Sequence, residues 1–140
     1  AEALAMRTRL AGVKHPDTAQ SSVRVGVVYE QLEQYAEAEA KLSSALETLR
    51  ATLGEENLEV AKVMSSLAAV HYQSGAWEKS LDLFQRVLSV RRGILGRENL
   101  ETVAVERNIG DCLCRLGDWK QAVAHYETAL WVQQRRLGRR

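Results

Sequence analysis

The sequence predicts an all-α solenoid, a superhelix of stacked antiparallel helix pairs. Three observations carry this. Glycine recurs every 42 residues, at Gly12, Gly54, Gly96 and Gly138, and a fixed period of this size marks stacked supersecondary units. Between those glycines, small and bulky residues hold the columns Gly26/Ala68/Gly110, Tyr35/Trp77/Trp119, Ala38/Ser80/Ala122, Leu42/Phe84/Tyr126, Ala45/Val87/Ala129 and Leu46/Leu88/Leu130. Helix start and stop signals also fall at matching points. The chain therefore divides into three complete repeats, 12–53, 54–95 and 96–137. Residues 1–11 correspond to the end of a preceding repeat and 138–140 to the start of a following one, all within a single domain spanning 1–140.

The first repeat predicts a helix over 16–31, opened by Pro16 at the first helical position, where a missing N–H costs nothing. His15 stands in the capping position before it. A second helix follows over 35–52. Its residues Tyr35, Ala38, Leu42, Ala45 and Leu46 form one apolar stripe by steps of three, four, three and one. In the second repeat, Asn57 is the expected N-cap and Glu59 lies in the first turn of a helix over 58–73. Gly75 turns the chain into a helix over 77–94. The third repeat does the same with Asn99, Glu101 and Gly117, for helices over 100–115 and 119–136. The second helices end in Arg50, in Arg91 and Arg92, and in Arg135 and Arg136, which suits the negative pole of the helix dipole. Small residues in the first helices let the neighbouring backbone approach while aromatic residues fill the remaining space. Trp77 and Trp119 are accordingly expected in the core.

At 140 residues and 46% hydrophobic, the chain can bury a core, here a ribbon between helix pairs. A net charge of +1 from 19 basic and 18 acidic residues offers no basic stripe for a phosphate backbone, so nucleic acid is not an expected partner. No run approaches the ~18 apolar residues of a membrane span, and no membrane partner is expected. Cys112 and Cys114 are two apart on one helix and point away from each other. Free thiols fit a reducing, cytoplasmic setting. His15, His71 and His125 occupy different repeat positions, C-x-C lacks a second pair, and no Gly-rich phosphate loop is present. The chain is therefore expected to be no enzyme and to use no cofactor or metal. The carboxylates are taken as solvated helix faces.

The repeat columns resemble the tetratricopeptide repeat (TPR). The third repeat carries the pattern as Ile109-Gly110, Leu113, Gly117, Trp119, Ala122, Tyr126 and Ala129-Leu130; the second carries it as Leu67-Ala68, His71, Gly75, Trp77, Ser80, Phe84 and Val87-Leu88. His71 stands at the family's tyrosine position and is taken as a packing residue. The usual TPR period is about 34 residues. The longer period, and the junction from Ala3-Leu4 through Arg7 and Gly12 to His15-Pro16-Asp17 and Ala19, resemble the long repeats of kinesin light chains and their relatives. The later junctions keep Leu53-Gly54 and Leu95-Gly96 with Asn-Leu-Glu after them. Where that family carries paired asparagines on its first helices, only Asn108 matches here.

A concave groove lined by the first helices follows from such stacking. The residues expected to face it are Gln20, Val23, Arg24, Val27, Glu30 and Gln31 in the first repeat, and Lys62, Ser65, Ser66, Ala69, Tyr72 and Gln73 in the second. The third contributes Ala104, Arg107, Asn108, Asp111, Cys114 and Arg115. These positions differ between repeats while the packing columns hold. The expected function is a non-catalytic protein-interaction module. Its groove would bind a peptide or partner segment with acidic and apolar side chains, anchored by Arg24, Lys62 and Arg107. The alternative is a structural spacer of a larger scaffold or signalling protein with no groove ligand. The apolar face of the last helix, with Ala122, Val123, Tyr126, Leu130 and Trp131, would then favour end-to-end self-association.

Overall fold

The computed structural model describes residues 16–138, and these form six helices. They are α1 (Pro16–Gln31), α2 (Tyr35–Leu53), α3 (Leu58–Gln73), α4 (Trp77–Leu95), α5 (Leu100–Leu116) and α6 (Trp119–Gly138). No strand occurs among the described residues. Each helix packs mainly on its neighbours in sequence, while the first helices α1 and α3 meet only marginally. The architecture is therefore a row of helix pairs, with α3 wedged between α2 and α4, and α5 between α4 and α6. The expected ends of residues 1–11, the His15 cap and residues 139–140 lie outside the described residues.

Local chemistry explains the helix boundaries. The Asn57 side chain accepts from the backbone N–H groups of Glu59 and Val60, and Asn99 accepts from Glu101, so orphan donors of the first turn are satisfied. Gly54 and Gly96 close α2 and α4 with φ of +85° and +87° and an extended ψ, a region open in practice only to glycine. This explains the period at Gly54 and Gly96; Gly12 lies outside the described residues, and Gly138, expected to begin a following repeat, instead ends α6 without a left-handed φ. The turn between paired helices needs a left-handed residue too. Gly75 and Gly117 supply it, and in the first repeat Glu33 adopts it at φ 60°, at a cost of about 1 kcal/mol for a side-chain-bearing residue.

The core runs as a continuous ribbon through Leu42, Leu49, Val60, Met64, Val87 and Ile109. The column of small residues marks where helices touch. A Cβ at Gly110 would fall 2.6 Å from Cε1 of Tyr126, closer than any van der Waals contact permits. In the second repeat Ala68 fits, and its carbonyl accepts a buried bond from Ser80 Oγ at 2.7 Å. Cys112 Sγ donates in turn to Ser80 Oγ at 3.4 Å. Burial pushes the Cys112 thiol above its ordinary value, which makes it inert. Cys112 is buried, Cys114 is half-buried, and both are free.

Two expectations are corrected. Trp119 is 64% exposed rather than in the core. Its counterpart Trp77 is half-buried beneath the Arg115 guanidinium, 5.7 Å away on the next first helix, and no described residue occupies the matching place over Trp119. Glu106, taken with the other carboxylates as solvated, is 4% exposed. Its Oε2 lies 2.6 Å from His125 Nδ1, and its Oε1 lies 3.8 Å from Arg92. Met64 fills the same column in the second repeat and takes a contact from the Arg50 guanidinium at 3.6 Å. The basic column Arg50/Arg92 was the available sign that a carboxylate could be tolerated there.

Candidate partner-binding groove

The first helices α1, α3 and α5 line one side of the row. Between α3 and α5, with α4 as the floor, lies a cleft of about 110 Å³ lined by Ala69, Tyr72, Gln73, Phe84, Asn108 and Asp111. Five of these six are residues whose helical phase pointed to the groove. Phe84 is the exception; it was assigned to the core, and it is 4% exposed while still closing the cleft from below. The walls thus combine an apolar floor with amide and carboxylate groups at the rim.

Several groove residues are held by partners that column comparison could not reveal. Arg115 Nε donates to the Tyr72 hydroxyl at 3.2 Å, and its guanidinium lies 5.7 Å from the ring centroids of Tyr72 and Trp77. That stacking bridges the second and third repeats across the groove wall. The Tyr126 hydroxyl donates to Asp111 Oδ1 and lies 3.7 Å from Cys114 Sγ. Burial and then the Asp111 bond push the Tyr126 phenol well above its ordinary value, so it stays a neutral donor and orients Asp111. Gln20 Nε2 donates to Glu59 Oε2 at 3.2 Å, tying α1 to the start of α3.

The remaining expected residues divide simply. Arg24, Lys62 and Arg107 are exposed and pair with no carboxylate among the described residues. Val27, Gln31 and Gln73 are exposed, Asn108 is half-buried, and the half-buried Ser66 donates to the Lys62 carbonyl at 3.3 Å. Val23 is half-buried against the core. Glu30 is also half-buried, and burial raises its carboxyl above the ordinary value. Among the described residues no group of three or more His, Cys, Asp or Glu side chains could hold a metal, and no helix is long and apolar enough to cross a membrane.

Comparison with known sequences decides the family. The family model described as tetratricopeptide repeat matches residues 1–51, 17–92 and 59–135. The chain belongs to the tetratricopeptide-repeat family. No curated protein matches it. Among solved structures it is similar to BtubC (BKLC) from P. vanneervenii, with 21% identity and a TM-score of 0.86, covering 97% of this chain and 54% of that one. A Podosopora anserina putative kinesin light chain with nearly identical TPR-like repeats has 18% identity and a TM-score of 0.79, covering 94% and 62%. The N-terminal domain of stress-induced protein-1 from C. elegans has 14% identity and a TM-score of 0.67, covering 84% and 85%. The chain thus spans about half the length of the BtubC structure. These likenesses establish the TPR fold. A stack of TPR helix pairs supports a protein–protein interaction module.

Proposed function

We propose that the chain is a non-catalytic, cytoplasmic interaction module whose groove binds an extended or short helical partner segment bearing acidic and apolar side chains. The observation that carries this reading is the cleft over Phe84, bounded by Tyr72, Gln73, Asn108 and Asp111. An apolar side chain of the partner enters it, and Gln73 and Asn108 hydrogen-bond the adjoining peptide. Arg24, Lys62 and Arg107, exposed and without ion pairs among the described residues, attract the partner's carboxylates. Changing Arg24, Lys62 and Arg107 each to Glu should abolish partner binding and leave the helix content unchanged. Binding that survives the triple change defeats the charge part of the proposal.

A second reading, a spacer that self-associates end to end, rests on α6. Trp119, Val123, Leu130 and Leu137 are all more than half exposed. Their counterparts Trp77, Leu81, Leu88 and Leu95 are buried or half-buried in the second repeat. Sedimentation across a concentration series separates the readings. A monomer at every concentration removes the spacer reading, and association that Leu130→Glu abolishes supports it.

A further inference from the structure

Outside the groove, the loop between α4 and α5 and the last turns of α6 enclose a cleft of about 550 Å³ at the edge of the row. Arg97, Glu98, Asn99, Trp131, Arg135 and Arg136 line it. The Arg97 and Arg135 guanidiniums lie 5.8 and 4.6 Å from the centroid of the Trp131 ring. Arg135 Nε donates to Glu98 Oε1 at 2.8 Å, and Arg136 donates to the Glu98 carbonyl at 2.6 Å. Two guanidiniums thus flank one indole, Arg135 also pairs with the Glu98 carboxylate, and Arg136 bonds the Glu98 backbone carbonyl; most of the N–H donors of the three have no partner within the cluster.

The repeat offers an internal control. One period earlier, the counterparts of Arg97, Trp131, Arg135 and Arg136 are Glu55, Ser89, Gly93 and Ile94. That edge therefore carries neither a guanidinium nor an aromatic ring at those places, so repeat packing does not require the cluster. All four counterparts are exposed although a further repeat follows them. By register, then, the Arg–Trp cluster belongs to the outer surface of the solenoid. It differs in this from Leu130, whose counterpart Leu88 is buried.

We propose that this edge is a second docking surface, which takes an acidic, extended segment of a partner protein. Carboxylates of the segment engage the guanidinium forks of Arg97 and Arg136 in paired hydrogen bonds. Trp131 holds the flanking guanidiniums in place by cation–π contact and gives the segment an apolar edge. The guanidiniums over the ring block it as a platform for a nucleobase, and a net charge of +1 provides no track for a phosphate backbone.

The probe is fluorescein-labelled hexaglutamate, with hexaglutamine as its uncharged counterpart, read by fluorescence anisotropy. The protein is the full chain carrying Arg24→Glu, Lys62→Glu and Arg107→Glu, so that the groove cannot contribute. Hexaglutamate should bind saturably, hexaglutamine should not, and binding should fade near 1 M salt, where the Debye length is about 3 Å. Adding Arg97→Glu and Arg136→Glu should weaken binding at least about ten-fold, and Trp131→Ser should weaken it by a smaller factor. Circular dichroism confirms that each variant remains helical. The proposal is overturned if hexaglutamate fails to bind or hexaglutamine binds equally. Unchanged binding in the Arg97/Arg136 variant overturns it as well, as does tighter binding of an oligothymidylate of similar length. Because the groove charges are already reversed, none of these results depends on the groove reading.

Discussion

The second and third repeats share a backbone and differ in what they bury. In the second, Met64 lies under Arg50, Ala68 is fully buried, and Ser89 and Gly93 leave the edge bare. The third places Glu106 between Arg92 and His125, Gly110 beneath Tyr126, and Trp131 between arginines. The caps, turns and helix lengths are nearly the same in both. Helix-pair geometry is therefore set by a few columns of small and bulky residues. The other positions are free to carry polar clusters, and those clusters distinguish one repeat from the next.

Substitutions in the shared core should have the largest effects. Phe84→Ala removes a buried ring that also floors the cleft, and should cost about 3–5 kcal/mol in urea denaturation; a loss below about 1 kcal/mol would mean the column does not carry the packing. Glu106→Ala should cost about 1–3 kcal/mol, discounted because His125 and Arg92 are partly exposed. Glu106→Met, which installs the residue of the second repeat, should be close to neutral. If the two substitutions cost the same, Glu106 is no ionic counterpart of Met64. Gly110→Ala should cost about 1–3 kcal/mol by overpacking against Tyr126, whereas Ala68→Gly should cost only about 0.5–1 kcal/mol.

The smallest effect concerns pH. His71 is buried, and its imidazole sits below the ordinary value of 6.5 through desolvation, with Glu39 opposing and Lys79 reinforcing the shift. The unfolded chain therefore takes up this proton first as pH falls. The stability involved is intact above about pH 6.5 and is lost as pH drops toward the lower folded value. Its counterpart in the third repeat is Leu113. The melting temperature of the native chain minus that of His71→Leu should thus be larger at pH 7.5 than at pH 5.5, whichever is the more stable; a difference independent of pH would show that His71 makes no such contribution.

Helix positions were almost wholly legible in the sequence, because the punctuating residues act locally. Asn57 and Asn99 cap, Gly75 and Gly117 turn, and α1 and α3 match the expected 16–31 and 58–73. The second helices run one or two residues longer than expected. Five residues of one cleft lie on the helical faces chosen from the sequence. What stayed hidden depends on partners far apart in sequence. Arg115 was counted as a groove cation, yet it stacks on Tyr72 and Trp77, 43 and 38 positions away. Asp111 is oriented by Tyr126 from another helix. Glu106 and Trp119 were misplaced because columns report what a position usually buries, not which neighbour is present.

We propose that function lies in the groove residues that do not repeat. The most direct test is to select peptides against the folded chain by display and map the strongest binder by amide chemical-shift perturbation. The account predicts shifts centred on Tyr72, Gln73, Asn108 and Asp111, enrichment for acidic and apolar residues, and loss of binding with Arg24, Lys62 and Arg107 changed to Glu. Shifts centred instead on Trp119, Val123 and Leu130 of α6, with binding indifferent to the groove charges, would contradict it.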